Sequence, residues 1–170
     1  MAAVRMANLF HRKLNPQNID DVLKRGNGLW DSLYHPFSDK LNAKLGQSHP
    51  DLPVHIIESE YGALFSDPPS PPGSTVPNVG RVLTSVVAVS CLRAQTGVGP
   101  QVVSHVFGLR KAYDDGSAAA EEEVQGGKWL ASNEGSLWLL EQIDQIVEGI
   151  SEGGRSFAPG YKAGTPKAKL

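Results

Sequence analysis

The chain has 170 residues, 16 basic against 18 acidic side chains and a net charge of −2, so it lacks the basic surface that neutralises a phosphate backbone, which argues against a nucleic-acid partner. Its length fits one domain with a core of ordinary size. The longest apolar run, 82–92, is broken by Thr84, Ser85 and Ser90 and falls far short of the ~20 residues of a bilayer span, and the single cysteine, Cys91, allows neither an internal disulfide nor a multi-cysteine metal site.

The first residues, MAAVRMANLFHRKL, carry Arg5, Arg12 and Lys13 without an acid, the charge of a mitochondrial presequence without its serine enrichment. Residues 15–23 read as a helix start, with Asn18 as cap and Asp20 and Asp21 in the first turn, where the helix dipole favours negative charge. Gly26 and Gly28 are expected to stop it. Leu29, Trp30, Leu33, Tyr34, Phe37, Leu41 and Leu45 then follow helical spacing, and Pro36 must kink or split that segment. Pro53 opens PVHIIESEYGALF, a helix ending near Gly62, although 54–57 alone also fit a short strand. Residues 66–78, SDPPSPPGSTVPN, are too rich in proline for anything but a loop.

Residues 79–95 are long and apolar enough for a buried helix. Thr96-Gly97-Val98-Gly99 breaks it, and Pro100 is placed as the first residue of a helix running to about Tyr113. The acidic, small-residue-rich 114–127 reads as a mobile connection. A last helix over about 132–150 sets Trp138, Leu139, Ile143, Ile146, Val147 and Ile150 at helical spacing and ends at Gly149 or Gly153. The expectation is an all-helical (all-α) domain over 1–152 with a proline-rich central loop and a flexible tail over 153–170.

Chemistry concentrates in 80–116. On the first helix of that stretch Thr84, Ala88, Cys91 and Gln95 share one side, at spacings of four, three and four. On the second, His105 lies one turn after Gln101 and beside Ser104, and Gly108 one turn before Ala112. His105 has two readings, a proton-moving group in a pocket or a satisfied core histidine. Cys91 reads as a small buried hydrophobe, since nothing nearby in sequence lowers its pKa. Arg93 and Arg110 read as surface or interface ion-pair residues. Glu58 and Glu60 divide between helix surface and site. His11, His35, His49 and His55 show no ligand spacing, so no metal site is proposed, and Trp30, Trp129 and Trp138 read as core or interface aromatics.

The order Arg81-Val82-Leu83, Val86 to Leu92, His105, Leu109-Arg110-Lys111-Ala112 and Gly116, entered by EYGALFSDPP at 60–69, resembles the carboxymuconolactone decarboxylase and AhpD-like family over about a third of the chain. Where the peroxidase-type members of that family carry two cysteines, this chain has Val98 and Gln101, and 79–95 contain no acid. Without a thiol pair the intramolecular disulfide of two-electron peroxide reduction cannot form, so alkylhydroperoxidase activity does not carry over. The resemblance implies an AhpD-like helical bundle, assembly into a homo-oligomer, and a pocket between these helices and a neighbouring subunit. It also implies acid/base handling of a small organic acid, lactone or acyl-thioester-derived intermediate without a cofactor. Such a role asks for a proton carrier, a donor to an enolate oxygen and a cation for a carboxylate. His105 takes the first part, Gln101 or Ser104 the second and Arg81 or Arg93 the third. Cys91 lies on the same stripe, and Glu60 arrives from elsewhere as a second catalytic group. Two rival classes remain: a non-catalytic assembly or ligand-carrying protein of the same fold, and a thiol peroxide scavenger using Cys91 without a resolving partner.

The chain closes on Ala168-Lys169-Leu170, which resembles the serine-lysine-leucine address read by the peroxisomal import receptor. The preceding Gly164-Thr165-Pro166-Lys167 suits a terminus that a receptor must engage unfolded. The expected compartment is the peroxisome matrix, ahead of the mitochondrion and the cytoplasm.

Overall fold

The structure is a computed structural model that describes residues 12–69, 78–121 and 123–150. Most of the proline-rich loop and the C-terminal tail lie outside the described residues. The regular secondary structure of the described residues is helical, with no strand among them, and no helix among them is long and apolar enough to cross a membrane. They fall into two compact units, Met1–Val79 and Gly80–Leu170.

The first unit contains α1 (Ile19–Tyr34), α2 (Ser38–Ser48), one turn of α3 (Leu52–Val54) and a π-helix over His55–Phe65. Its core is Trp30, Leu33, Ile57 and Tyr61, each contributing on the order of 2 kcal/mol by leaving water. The Trp30 and Tyr61 rings meet edge to face at 5.1 Å, the quadrupole-favoured arrangement. Neither Gly26 nor Gly28 ends α1, contrary to the reading of 15–28. The helix runs on to Tyr34 and stops where Pro36, in a cis peptide with His35, supplies no backbone donor. A glycine inside a helix costs only about 1 kcal/mol, and Gly26 has a reason to be there. A Cβ on it would stand 2.7 Å from the Cα and N of Gly62, so two backbones cross at that point. The helix opened by Pro53 likewise continues past Gly62 to Phe65 in the wider π winding, its end marked by the Ser66 N–H donating to the Tyr61 carbonyl at 2.9 Å.

Arg12 closes that end. Its guanidinium donates to the carbonyls of Ala63 (3.3 Å), Leu64 (2.7 Å) and Ser66 (2.6 Å) and pairs with Asp67 at 3.2 Å. A cation on the last carbonyls satisfies acceptors that a helix leaves open and favours its dipole.

The second unit contains α4 (Gly80–Gln95), α5 (Gly99–Asp114), a 3₁₀ turn (Ser117–Ala120), α6 (Gly127–Leu130) and α7 (Asn133–Ile150). Val82, Leu109 and Ala112 form one buried cluster, and Val89, Leu139 and Ile143 another. Thr96 and Gly97, both at positive φ, make the α4–α5 break, and Pro100 stands in the first turn of α5, where its missing N–H removes no helix bond. Helix α4 is not buried all round as its composition suggested. Leu83 and Val87 are 41% and 52% exposed, and one face, with Cys91 next in the same row, is open to solvent.

Candidate functional site

The α4–α5 pair brings together two of the residues singled out from sequence, Arg81 and His105, both buried. Arg81 sits in the first turn of α4. One arm of its guanidinium donates to the Ser85 hydroxyl one turn on, and the other to the Gly108 carbonyl of α5 at 2.8 Å. The backbone N–H of the same residue donates to both carboxylate oxygens of Glu121, at 2.6 and 2.5 Å. An anionic side chain on the open N–H groups of a helix start is stabilising, so the connection after α5, read from sequence as mobile, anchors the helix that carries Arg81.

His105 lies on the inward face of α5, one turn before Leu109 and two before Ala112. Burial disfavours its charged form, and the Arg81 guanidinium opposes a second positive charge nearby. Together they push its pKa down to about 4. At neutral pH the imidazole is therefore uncharged, equipped to accept a proton or a hydrogen bond and not to release a proton as an acid. This differs from the near-neutral titration that the acid/base reading asks of it.

The other sequence candidates are placed elsewhere. Gln101 is exposed in the first turn of α5, and the Ser104 hydroxyl donates back to the Pro100 carbonyl at 3.0 Å. Arg93 makes a two-pronged pair with Asp144 of α7 at 2.7 and 2.6 Å, on the surface, which raises its pKa further. This is the surface ion-pair reading of Arg93. Cys91 is exposed, which corrects its reading as a buried hydrophobe: the α4 row it occupies is the one left outside both core clusters. Glu60 belongs to the first unit, on the π-helix, with its side chain 40% exposed and 3.7 Å from the His55 ring.

Sequence reasoning missed both partners of the Arg81 guanidinium. The Ser85 hydroxyl was legible in principle, because it stands four residues after Arg81 on one helix face. The Gly108 carbonyl was not, since a backbone acceptor leaves no mark in residue type. In the first unit, the hydroxyls of Tyr34 and Tyr61 lie 3.1 Å apart. Burial raises the pKa of Tyr34 while the bond to Tyr61 lowers it less. Among the described residues no group of three or more His, Cys, Asp or Glu side chains is arranged to hold a metal ion. Set beside known proteins, the chain matches no family model, no curated protein and no solved structure.

Proposed function

We propose that the protein is a peroxisomal, oligomeric, AhpD-like helical protein of the carboxymuconolactone decarboxylase type, acting on a small organic acid, lactone or acyl-thioester-derived intermediate. The observation that carries this reading is the buried pairing of a neutral imidazole with a guanidinium on adjoining helices. His105 is the proton acceptor, fully in its basic form at neutral pH. Arg81 supplies the positive field for a carboxylate or a developing enolate. An anion arriving beside Arg81 offsets its charge and raises the His105 pKa, so the base strengthens when substrate binds. In this reading Gln101 and Ser104, at the open end of α5, orient the ligand.

A second reading, a non-catalytic assembly or ligand-carrying protein, is favoured by a specific contact. Arg81 spends donors on Ser85 and Gly108, as a residue does whose work is to stitch two helices. A thermal-shift screen separates the two readings. Wild type and His105→Gln are titrated with keto acids, lactones, acyl thioesters and short dicarboxylates, because a ligand that binds only the native state raises the melting temperature by mass action. A compound class that stabilises wild type and not the variant supports the chemical role. A large loss of melting temperature in His105→Gln, with no ligand shift in either protein, supports the stitching role and removes the enzyme reading.

A further inference from the structure

The outer face of α7 is built differently from its inner face. Gly135, Ser136, Leu139 and Ile143 turn inward and are buried. The opposite side presents Leu137 at 58% and Trp138 at 45% exposure. Trp129 of α6 joins them, 42% exposed, its ring 5.4 Å from that of Trp138. Two half-exposed indoles side by side leave apolar area in water that would contribute about 2 kcal/mol per side chain if covered.

The charges that α7 itself carries are of one sign. Along its 18 residues α7 carries Glu134, Glu141, Asp144 and Glu148 and no lysine or arginine. Glu134 stands four residues before Trp138 and Glu141 three after it, one turn to either side on the same face. Asp144 is held by Arg93, while Glu134, Glu141 and Glu148 make no ion pair among the described residues. Of the nearby bases, Lys128 is exposed beside Trp129, and Arg110 donates to Asn133.

Charge decides what fits here. A second copy meeting this face with its own α7 sets Glu134, Glu141 and Glu148 against themselves, and an anionic membrane surface repels them equally. A cationic segment gains on both counts, because its charges pair with the glutamates and stack on the indole faces, where the guanidinium of arginine is the better fit. We infer that the Trp129–Trp138 face, flanked by Glu134 and Glu141, is a docking surface for an arginine-bearing peptide segment of a partner protein.

The test uses the full chain and a fluorescein-labelled peptide of alternating arginine, leucine and alanine, with a glutamate-for-arginine peptide as control, read by fluorescence anisotropy at near-physiological salt. Expected are saturable binding of the arginine peptide, none of the control, and at least tenfold weakening in both Trp138→Ala and Glu134→Gln/Glu141→Gln. The glutamine variant keeps both indoles and changes only exposed side chains, so it tests the surface even if Trp138→Ala folds poorly. Absence of saturable binding overturns the inference. So does equal binding by wild type and a folded Trp138→Ala, which reduces the effect to charge alone, and so does self-association in sedimentation that Trp138→Ala abolishes.

Discussion

His105 and Arg81 make the sharpest claims available at the level of single residues. In the unfolded chain the His105 ring protonates near pH 6.5, whereas in the folded protein it does so at about 4. Between those values the unfolded state holds more protons, so native stability falls as pH drops through the interval and levels off below it. The difference is worth about 3 kcal/mol. Urea denaturation of wild type and His105→Asn at pH 7 and pH 4 isolates it: the wild type should lose about that much more than the variant, and parallel losses would remove the burial argument. Replacing Arg81 with methionine removes the charged donor that the Gly108 carbonyl and the Ser85 hydroxyl share, at a cost of about 1–3 kcal/mol. It also takes away the charge that opposes protonation. An NMR titration should show the His105 pKa rising in that variant, and an unchanged value would mean that burial alone sets it. Some of this was legible in the residues, namely Arg81 and His105 as members of one stretch and the spacing from Arg81 to Ser85. The neutrality of His105 was not, because a pKa is set by what packs around a group and not by its neighbours in sequence.

Among the elements, α1 shows where local rules reach their limit. Gly26 and Gly28 look alike as helix breakers, yet they have opposite surroundings. A Cβ at position 28 meets nothing within 4 Å, while one at 26 meets the Gly62 backbone at 2.7 Å. Gly28→Ala should be neutral or stabilising by up to about 1 kcal/mol. Gly26→Ala should cost about 2 kcal/mol or more, because two backbones must part. Thermal melts of the pair decide it, and equal melting temperatures would mean that the crossing is looser than described. The identity of the crossing partner, 36 positions along the chain, could not be read from the window around Gly26. Nor could the π winding of His55–Phe65, since apolar periodicity detects that a helix exists and says little about one extra residue per hydrogen-bonded ring. Helices α4, α5 and α7 were placed to within a residue or two because their apolar residues recur at helical spacing between clear breakers: Thr96 to Gly97, and Pro100.

For the whole molecule, helical content followed from periodicity, whereas the division at Val79 and Gly80 followed from contacts that no residue pattern announces. The proposed address is tested in cells with the full chain. A fluorescent fusion placed at the N-terminus should gather in peroxisomal puncta and disperse when Ala168, Lys169 and Leu170 are deleted, and puncta that persist would remove the targeting proposal. Light scattering should return a multiple of the 18.2 kDa chain mass, and a monomer would remove the shared-pocket proposal. The exposed position of Cys91, the chain's one thiol, gives that last question a second instrument. One maleimide places one fluorophore per molecule on the outer row of α4, away from the arm that Arg81 extends to α5. In a mixture of donor-labelled and acceptor-labelled chains, energy transfer then arises between copies alone, and its efficiency measures how closely two α4 helices approach in the assembly.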